Sequence, residues 1–322
     1  MATRDAVLVA LREAADAGLS GEVLAMRLGV SRVAIGKHVS TLRAAGYDIS
    51  AVSGVGYRLL ASPDAPLPAE VAPLLSDAAW MRLVGGGETA STNDDARSLA
   101  GDGAPEGTVV LASRQTAGRG RLGRTWDSPQ GGAYFSLVLR PPIPPSQAAP
   151  LALVIGLGIA RGLQEELGVE FSLKWPNDVG LSGGKLAGIL LEMTAEADCV
   201  NWVVVGVGLN VRHPKGVRPS EKIAFLEDAA PGVRIAEVVA VALEGIARTY
   251  ADWLRGGFSE LRDQYEAHLS LIGEEVVVRD VGGTVRAAGT VTGIDEEGRL
   301  LILGASGEEA VAAGEVTLRD CM

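Results

Sequence analysis

The chain of 322 residues is too long for one small domain and suits two or three domains. A content of 47% apolar and 21% charged residues is typical of a soluble globular protein, and a net charge of −11 argues against a protein that coats nucleic acid non-specifically. The two cysteines, Cys199 and Cys321, exclude a disulfide scaffold and fit a reducing cytoplasm.

Membrane and secretion signals are not recognisable in the sequence. The N-terminal residues lack the anatomy of a cleavable signal peptide. The longest apolar runs, 149–160 and 202–209, fall short of the roughly 18–20 residues that span a bilayer. We therefore expect a cytoplasmic protein that has no membrane partner.

Residues 1–61 predict a winged helix-turn-helix domain. An amphipathic first helix is followed by two segments, each preceded by a serine suited to cap a helix, Ser20 and Ser31. A short turn that contains glycine joins them, as in DNA-binding helix-turn-helix units. Residues 48–59 then alternate around glycines, which is typical of a two-stranded wing.

The charge of this first part supports the same interpretation. Residues 1–60 carry seven Lys or Arg and five Asp or Glu, a net charge of +2, so the other 262 residues carry −13. On the second helix of the motif, Ser31, Arg32, Lys37 and His38 are the candidate DNA-contacting residues. The alternative is a small helical domain whose charges are only solvated.

A proline-rich connector, 62–75, separates this domain from a central domain, 76–269, in which strands and helices are mixed. The central domain has no GxxxxGK[ST] loop and no GxGxxG unit between a strand and a helix, so nucleotide chemistry there needs another loop. Residues 270–322 consist of short alternating strands separated by glycine turns, which predicts a small antiparallel barrel with a structural or docking role.

Four short polar motifs surround an arginine-rich loop in the central domain. The loop reads SRQTAGRGRLGRTWDSP at 113–129, and the motifs are STND at 91–94, KWPND at 174–178, GGKLAGILLE at 183–192 and GVGLN at 206–210. Each motif alone has an ordinary structural interpretation: a helix cap, a strand-to-turn corner, a surface lysine or the start of a turn. Together they favour an anionic ligand, because arginine forks and lysine charges suit carboxylates and phosphates.

Hydrolytic and metal-centred enzymes are not indicated. The three histidines are scattered along the sequence, and neither HExxH nor CxxC occurs. Both cysteines are interpreted as inert, Cys199 in a helix-to-strand connection and Cys321 beside the C-terminus. No dedicated metal site is expected.

In this order and spacing, the loop and motifs resemble those of biotin protein ligases, and the preceding winged helix resembles the bifunctional bacterial form that also represses biotin synthesis genes. The resemblance covers nearly the whole chain and implies an α+β protein. Its central mixed-sheet domain would be of the class II synthetase and biotin ligase type, and its C-terminal domain would be an SH3-like barrel.

The resemblance also implies roles for individual residues. Lys185 and Arg121 are the candidate catalytic residues. The implied biotin-binding residues are Ser91, Thr92, Asn93, Gln115, Arg119, Gly120, Arg121 and Lys185. The implied ATP-binding residues are Trp126, Lys174, Asn177, Asp178 and Asn210.

The implied reaction has two steps, with biotin and ATP as substrates and Mg²⁺ carried by ATP. The biotin carboxylate attacks the α-phosphate to give biotinyl-5′-AMP, and a lysine of the biotin carboxyl-carrier protein of acetyl-CoA carboxylase then takes the biotinyl group. The implied partners are this carrier protein, operator DNA, and a second copy of the chain when the adenylate is bound.

Three other functions are also compatible with the sequence. Lipoate or octanoate ligases share this catalytic architecture, and a small-molecule-sensing regulator without catalysis would also combine these domains. An arginine loop that binds RNA or DNA is the third, and the acidic surroundings argue against it.

Overall fold

The computed structural model describes residues 4–76, 82–214 and 223–318, and the chain divides into two compact units, Met1–Asp64 and Ala65–Met322. The elements of the first unit are α1 (Arg4–Ala14), α2 (Gly21–Leu28), α3 (Arg32–Ala44), β1 (Asp48–Val52) and β2 (Gly56–Ala61). Strands β1 and β2 pair antiparallel as the predicted wing.

Both predicted serine caps are present in this first unit. The hydroxyl of Ser20 accepts a hydrogen bond from the amide of Val23, and the hydroxyl of Ser31 accepts one from the amide of Ala34. Between them, Gly29 ends α2 in the left-handed conformation with φ of 66°, which a residue with a Cβ adopts at a cost. These caps and this turn set the helix-turn-helix geometry that the sequence predicted.

The second unit begins inside the proline-rich stretch, where α4 forms. Its helices are α4 (Pro68–Val71), α5 (Thr92–Gly101), α6 (Leu151–Leu167), α7 (Ile235–Gly256) and α8 (Arg262–His268). Its strands up to the central hairpin are β3 (Arg82–Gly85), β4 (Glu88–Thr89), β5 (Thr108–Ala112), β6 (Arg114–Gln115), β7 (Ala133–Leu139), β8 (Ser172–Lys174), β9 (Asp178–Leu181), β10 (Gly184–Ala195) and β11 (Val200–Leu209). The remaining strands are β12 (Glu275–Arg279), β13 (Val285–Ile294), β14 (Leu300–Gly304), β15 (Gly307–Val311) and β16 (Glu315–Leu318).

The central sheet has seven strands in the order β3-β5-β7-β11-β10-β9-β8. Strands β3 and β5 are parallel, and the other neighbours are antiparallel, so the predicted mixed sheet is confirmed. Helices α6 and α7 cover one face with a large apolar core, whereas α5 covers the other face through Ala96 and Ala100. Because both faces are covered, every residue of β5 and β7 is buried.

Helix α6 is part of a helical segment that is longer than the apolar runs of the sequence suggested. Within the residues that the structure describes, Pro145–Leu167 is one segment of 23 residues with the length and hydropathy of a membrane span. Of its most apolar 18-residue window, 72% is buried inside the protein. This burial is typical of a core helix, since α6 packs against α7 and the sheet.

The C-terminal strands form a five-stranded antiparallel sheet in the order β15-β14-β13-β12-β16, where a small antiparallel barrel was predicted, so the small antiparallel domain is confirmed. Valines of β12 and β13 share the large core with α6 and α7. The buried indole of Trp175 also donates a hydrogen bond to the carbonyl of Gly298 at 3.0 Å. The small sheet is therefore held against the central sheet within one compact unit.

Candidate functional site

One cavity of about 870 Å³ contains the candidate residues of the central domain. The N-terminus of α5, the arginine-rich loop, strands β8 to β11 and strand β16 contribute to its lining. All thirteen residues that the resemblance implied for biotin and ATP line this cavity. A volume of this size suits a ligand of several hundred daltons.

A buried polar wall forms one end of the cavity. The side-chain carbonyl of Gln115 accepts hydrogen bonds from the Thr92 amide at 2.8 Å and the Thr92 hydroxyl at 3.0 Å. Its amide group donates to the hydroxyl of Ser128 at 2.9 Å, which donates to the carbonyl of Trp126. Ser91 occupies the N-cap position of α5, but its hydroxyl makes no capping hydrogen bond. The loop and α5 are therefore fixed to each other by paired polar groups.

Strand glycines create the space for this wall. A Cβ at Gly206 would lie 2.1 Å from Asn93 Oδ1, and a Cβ at Gly208 would lie 2.4 Å from Trp126 Nε1. On the neighbouring strand a Cβ at Gly188 would lie 2.9 Å from the Trp126 ring. Gly188, Gly206 and Gly208, from the GGKLAGILLE and GVGLN motifs, thus form a surface without side chains, the glycine floor, against which Asn93 and Trp126 pack.

Two acidic side chains hold the guanidinium of Arg119 beside the polar wall. Its guanidinium donates two hydrogen bonds to Asp94, at 2.6 and 2.9 Å, and lies 3.4 Å from both carboxylate oxygens of Glu192. The hydrogen bond from Arg119 lowers the pKa of Asp94 and raises the pKa of Arg119 itself. Glu192 also accepts a hydrogen bond from the Asn93 amide at 2.8 Å. The arginine is therefore prepositioned by two carboxylates.

Lys185 lines the cavity beside Asp178 and Trp126. Its ammonium is 2.9 Å from Asp178 Oδ1, an ion pair by distance that lacks hydrogen-bond angles. The same ammonium lies 5.1 Å from the centre of the Trp126 ring, within cation–π range. A lysine with one weakly oriented carboxylate partner can exchange it for a ligand oxygen.

Arg121 connects the loop to both sheets. Its guanidinium donates to Asn177 Oδ1 at 3.1 Å and to the carbonyl of Gly314 at 3.2 Å. Burial lowers the pKa of Arg121, while the charges of Asp178 and Glu315 act in the opposite direction, and a guanidinium stays protonated in proteins. A cation is thus held in a partly desolvated position beside the cavity.

The other ATP-side candidates have structural contacts as well. Asn177 donates to the carbonyl of Ile189, and Asn210 donates to the carbonyl of Lys185 at 3.3 Å. Lys174 is exposed at the rim. Among the residues that the structure describes, no group of three or more His, Cys, Asp or Glu side chains is arranged to hold a metal ion.

Several residues of the polar wall and of the cavity lining were not predicted from the sequence. Glu192, Ser128 and the buried Ser136 belong to the polar wall, and β16 contributes Glu315 and its neighbours to the lining. Arg124 of the loop also forms an ion pair with Glu315. The sequence predicted a structural or docking role for the C-terminal sheet, and the structure adds that its last strand borders the cavity.

Cys199 lies outside this chemistry. Cys199 is exposed in a hairpin between β10 and β11, so the predicted helix-to-strand connection is wrong, because the segment before it extends β10. Cys321 lies outside the described residues.

The candidate DNA-contacting residues lie on the N-terminal half of α3. The Ser31 hydroxyl is used as a cap, Arg32 and Lys37 are exposed, and His38 is half-buried. Arg27 and Arg58 instead pair with acidic residues of the same unit. The exposed positive charges of the motif are thus concentrated on α3.

Comparisons with known proteins agree with this architecture. Residues 87–210 match the model of the Biotin/lipoate A/B protein ligase family, 3–58 match an HTH domain, and 271–319 match the Biotin protein ligase C terminal domain. The Bifunctional ligase/repressor BirA of Bacillus subtilis is 36% identical over 312 residues, with 95% of each chain covered. The chain belongs to the biotin protein ligase family.

Two further relatives match only part of this family member. The Biotin--[acetyl-CoA-carboxylase] ligase of Paracoccus denitrificans is 36% identical, and the match covers 71% of this chain and 97% of the relative. The biotin protein ligase of Aquifex aeolicus, solved in complex with biotin and ATP, is 32% identical with a TM-score of 0.64. That match covers 74% of this chain and 98% of the solved chain, so the catalytic fold is shared without the full length.

Proposed function

We propose that the chain activates biotin with MgATP to biotinyl-5′-AMP and then transfers the biotinyl group to a lysine of a carboxylase carrier protein. The observation that carries this proposal is the position of Lys185 and Arg121 on one cavity whose far end is a buried polar wall. The chain has a net charge of −11, yet five cationic side chains line this cavity: Arg119, Arg121, Arg124, Lys174 and Lys185.

The polar wall suits the ureido and thiophane end of biotin. Ser91, Thr92, Asn93 and Gln115 supply hydroxyl and amide groups that are buried or half-buried, where hydrogen bonds discriminate strongly between ligands. The loop residues Arg119, Gly120 and Arg121 would follow the ligand toward its carboxylate, and Lys185 would contact that carboxylate and the α-phosphate.

The opposite end of the cavity would take MgATP. We assign this end to the residues Trp126, Lys174, Asn177, Asp178 and Asn210. Asp178 pairs with Lys185 at 2.9 Å, and a phosphate oxygen of ATP would replace that carboxylate as the partner of the lysine. Fixed cations lower the energy of the negative charge that grows on the α-phosphoryl oxygens, and they hold two anions close together.

The arginine-rich loop would protect the adenylate from water. Leu122 at its tip has φ of 58°, Gly123 also has a positive φ, and the flanking arginines reach the C-terminal sheet. Closing such a loop over a mixed anhydride excludes water, which would otherwise hydrolyse the intermediate.

The test of catalysis is a biotin-dependent exchange of pyrophosphate into ATP, run with biotin and lipoate side by side. We expect exchange with biotin, and we expect Lys185→Ala to lower the rate by roughly a hundredfold to a thousandfold, as for removal of one preorganised transition-state donor. Arg161→Ala is the matched control, because Arg161 lies on α6 and its side chain contacts Gln264 instead of the cavity. Normal exchange by Lys185→Ala would refute its role, and exchange with lipoate alone would refute biotin as the substrate.

The first unit supports a second function, a repressor of biotin synthesis genes that binds operator DNA through α3. We propose that bound adenylate favours a homodimer in the cytoplasm, so that two winged helices contact two half-sites. The test is a gel shift with DNA from upstream of the biotin synthesis genes, with and without biotin plus ATP. DNA binding that Arg32→Ala with Lys37→Ala does not weaken would refute the assignment, and binding indifferent to the adenylate would refute the coupling.

A further inference from the structure

Ser136 is a buried hydroxyl that the catalytic proposal does not use. It lies in the middle of β7, on the face covered by α5, and its exposed fraction is 0%. Its Oγ is 2.7 Å from Thr92 Oγ1 and 2.7 Å from Asn93 Oδ1. A polar group placed this deeply in a sheet of apolar residues requires hydrogen-bond partners, and here both partners line the cavity.

The chemistry of the neighbours fixes the orientation of Asn93. Its Nδ2 lies 2.8 Å from a carboxylate oxygen of Glu192, which can only accept a hydrogen bond, so the amide nitrogen must face Glu192. The amide oxygen of Asn93 therefore faces Ser136 and needs a donor. Asn93 is buried, with 4% of its surface exposed, and the Ser136 hydroxyl lies within donor distance of this oxygen.

The hydroxyl protons of Thr92 and Ser136 are both donated to acceptors inside the polar wall. The Thr92 proton has two protein acceptors, Gln115 Oε1 at 3.0 Å and Ser136 Oγ at 2.7 Å. The Ser136 proton has two as well, Asn93 Oδ1 and Thr92 Oγ1. A hydroxyl has one proton and two lone pairs, so in every arrangement a lone pair of Thr92 Oγ1 remains for a ligand.

We propose that Ser136 is a positioning residue: its hydroxyl holds Thr92 Oγ1 and Asn93 Oδ1 in place, so that the open lone pair of Thr92 can accept from an N–H group of the ligand. The proposal rests on the proposed ligase function and deepens it, because it explains which head group the cavity selects. A cyclic urea carries N–H donors that match an open lone pair, whereas a dithiolane ring has none. A buried acceptor left without a donor is costly, so the wall disfavours ligands that lack N–H groups.

The variant Ser136→Ala removes the donor of Asn93 Oδ1 and one of the two acceptors of the Thr92 proton. We expect the KM for biotin in pyrophosphate exchange to rise about tenfold, the factor that corresponds to one buried hydrogen bond. The KM for MgATP and kcat should stay within about twofold, because Ser136 touches only the polar wall. Ser136→Cys, which keeps a weak donor, should give an intermediate KM for biotin.

Thr108→Val is the matched control for a lost buried hydroxyl. Thr108 is also fully buried, lies on the adjacent strand β5, and donates to the carbonyl of Pro105 at 2.8 Å, away from the cavity. Melting curves of both variants separate loss of fold from loss of recognition, and Ser136→Cys replaces Ser136→Ala if the alanine variant does not fold.

A second probe examines the N–H group itself. Wild type should bind biotin methylated on one ureido nitrogen much more weakly than biotin, and Ser136→Ala should reduce this difference several-fold. A biotin KM equal to that of Thr108→Val, or an equal rise in both KM values, would overturn the positioning role. Wild-type protein without biotin-dependent exchange would instead refute the proposed function, so the two failures are distinguishable.

Discussion

Gly206→Ala tests whether the glycine floor positions the polar wall. The new Cβ would lie 2.1 Å from Asn93 Oδ1 and 2.8 Å from Asn93 Cγ, whereas ordinary contacts begin near 3.4 Å. Asn93 must therefore move by more than about 1 Å, a shift of the size at which overpacking costs about 1–3 kcal/mol. A displacement of this size breaks its bonds to Ser136 and Glu192, at 2.7 and 2.8 Å.

Losing two buried hydrogen bonds corresponds to about 2 kcal/mol, or a factor of roughly 30 in affinity. We expect calorimetric titration of Gly206→Ala with biotin to show a dissociation constant higher by about this factor. The backbone itself tolerates alanine, because Gly206 lies inside strand β11 and does not have a positive φ.

Gly101→Ala is the matched control, since a Cβ there meets no atom within 4 Å and the residue ends the same helix that carries Asn93. It should bind biotin as wild type does and be slightly more stable. If Gly206→Ala also binds biotin with the wild-type dissociation constant, Asn93 does not contribute to biotin recognition, and its assignment to the polar wall of the binding site is wrong.

Two further predictions concern the arginines of the loop. Arg121→Ala should release free biotinyl-5′-AMP, because the loop loses its contacts with Asn177 and Gly314. Chromatography of the reaction mixture measures the released adenylate, and the control variant Leu122→Ala should not release it. Asp94→Asn should lower urea resistance at pH 7. The hydrogen bond from Arg119 lowers the folded-state pKa of Asp94, so the stabilisation by this pair is fully present above the unfolded pKa of about 3.9. The stabilisation is lost as the pH falls through the lower folded-state pKa, where the difference between Asp94→Asn and wild type should vanish.

The local elements followed from the sequence because their causes are local. Ser20 and Ser31 cap the helices that they precede, since each hydroxyl accepts from the amide three positions further on. The motif at 91–94 opens α5, as a helix start was expected there. Short helices such as α4, inside a proline-rich stretch, were missed, because their stability comes from packing against α7 and not from the local sequence.

The sequence by itself determined the helix-turn-helix, the mixed central sheet and thirteen of the residues that line the cavity. The tertiary structure alone decided how those residues are paired. Asn93 and Glu192 are 99 positions apart, Arg121 and Gly314 are 193 apart, and the strand pattern places Ser136 on a face without showing what covers it. Hydrogen bonds depend on distances of a few tenths of an ångström, and only the packing of α5 and the C-terminal sheet on the central sheet sets those distances.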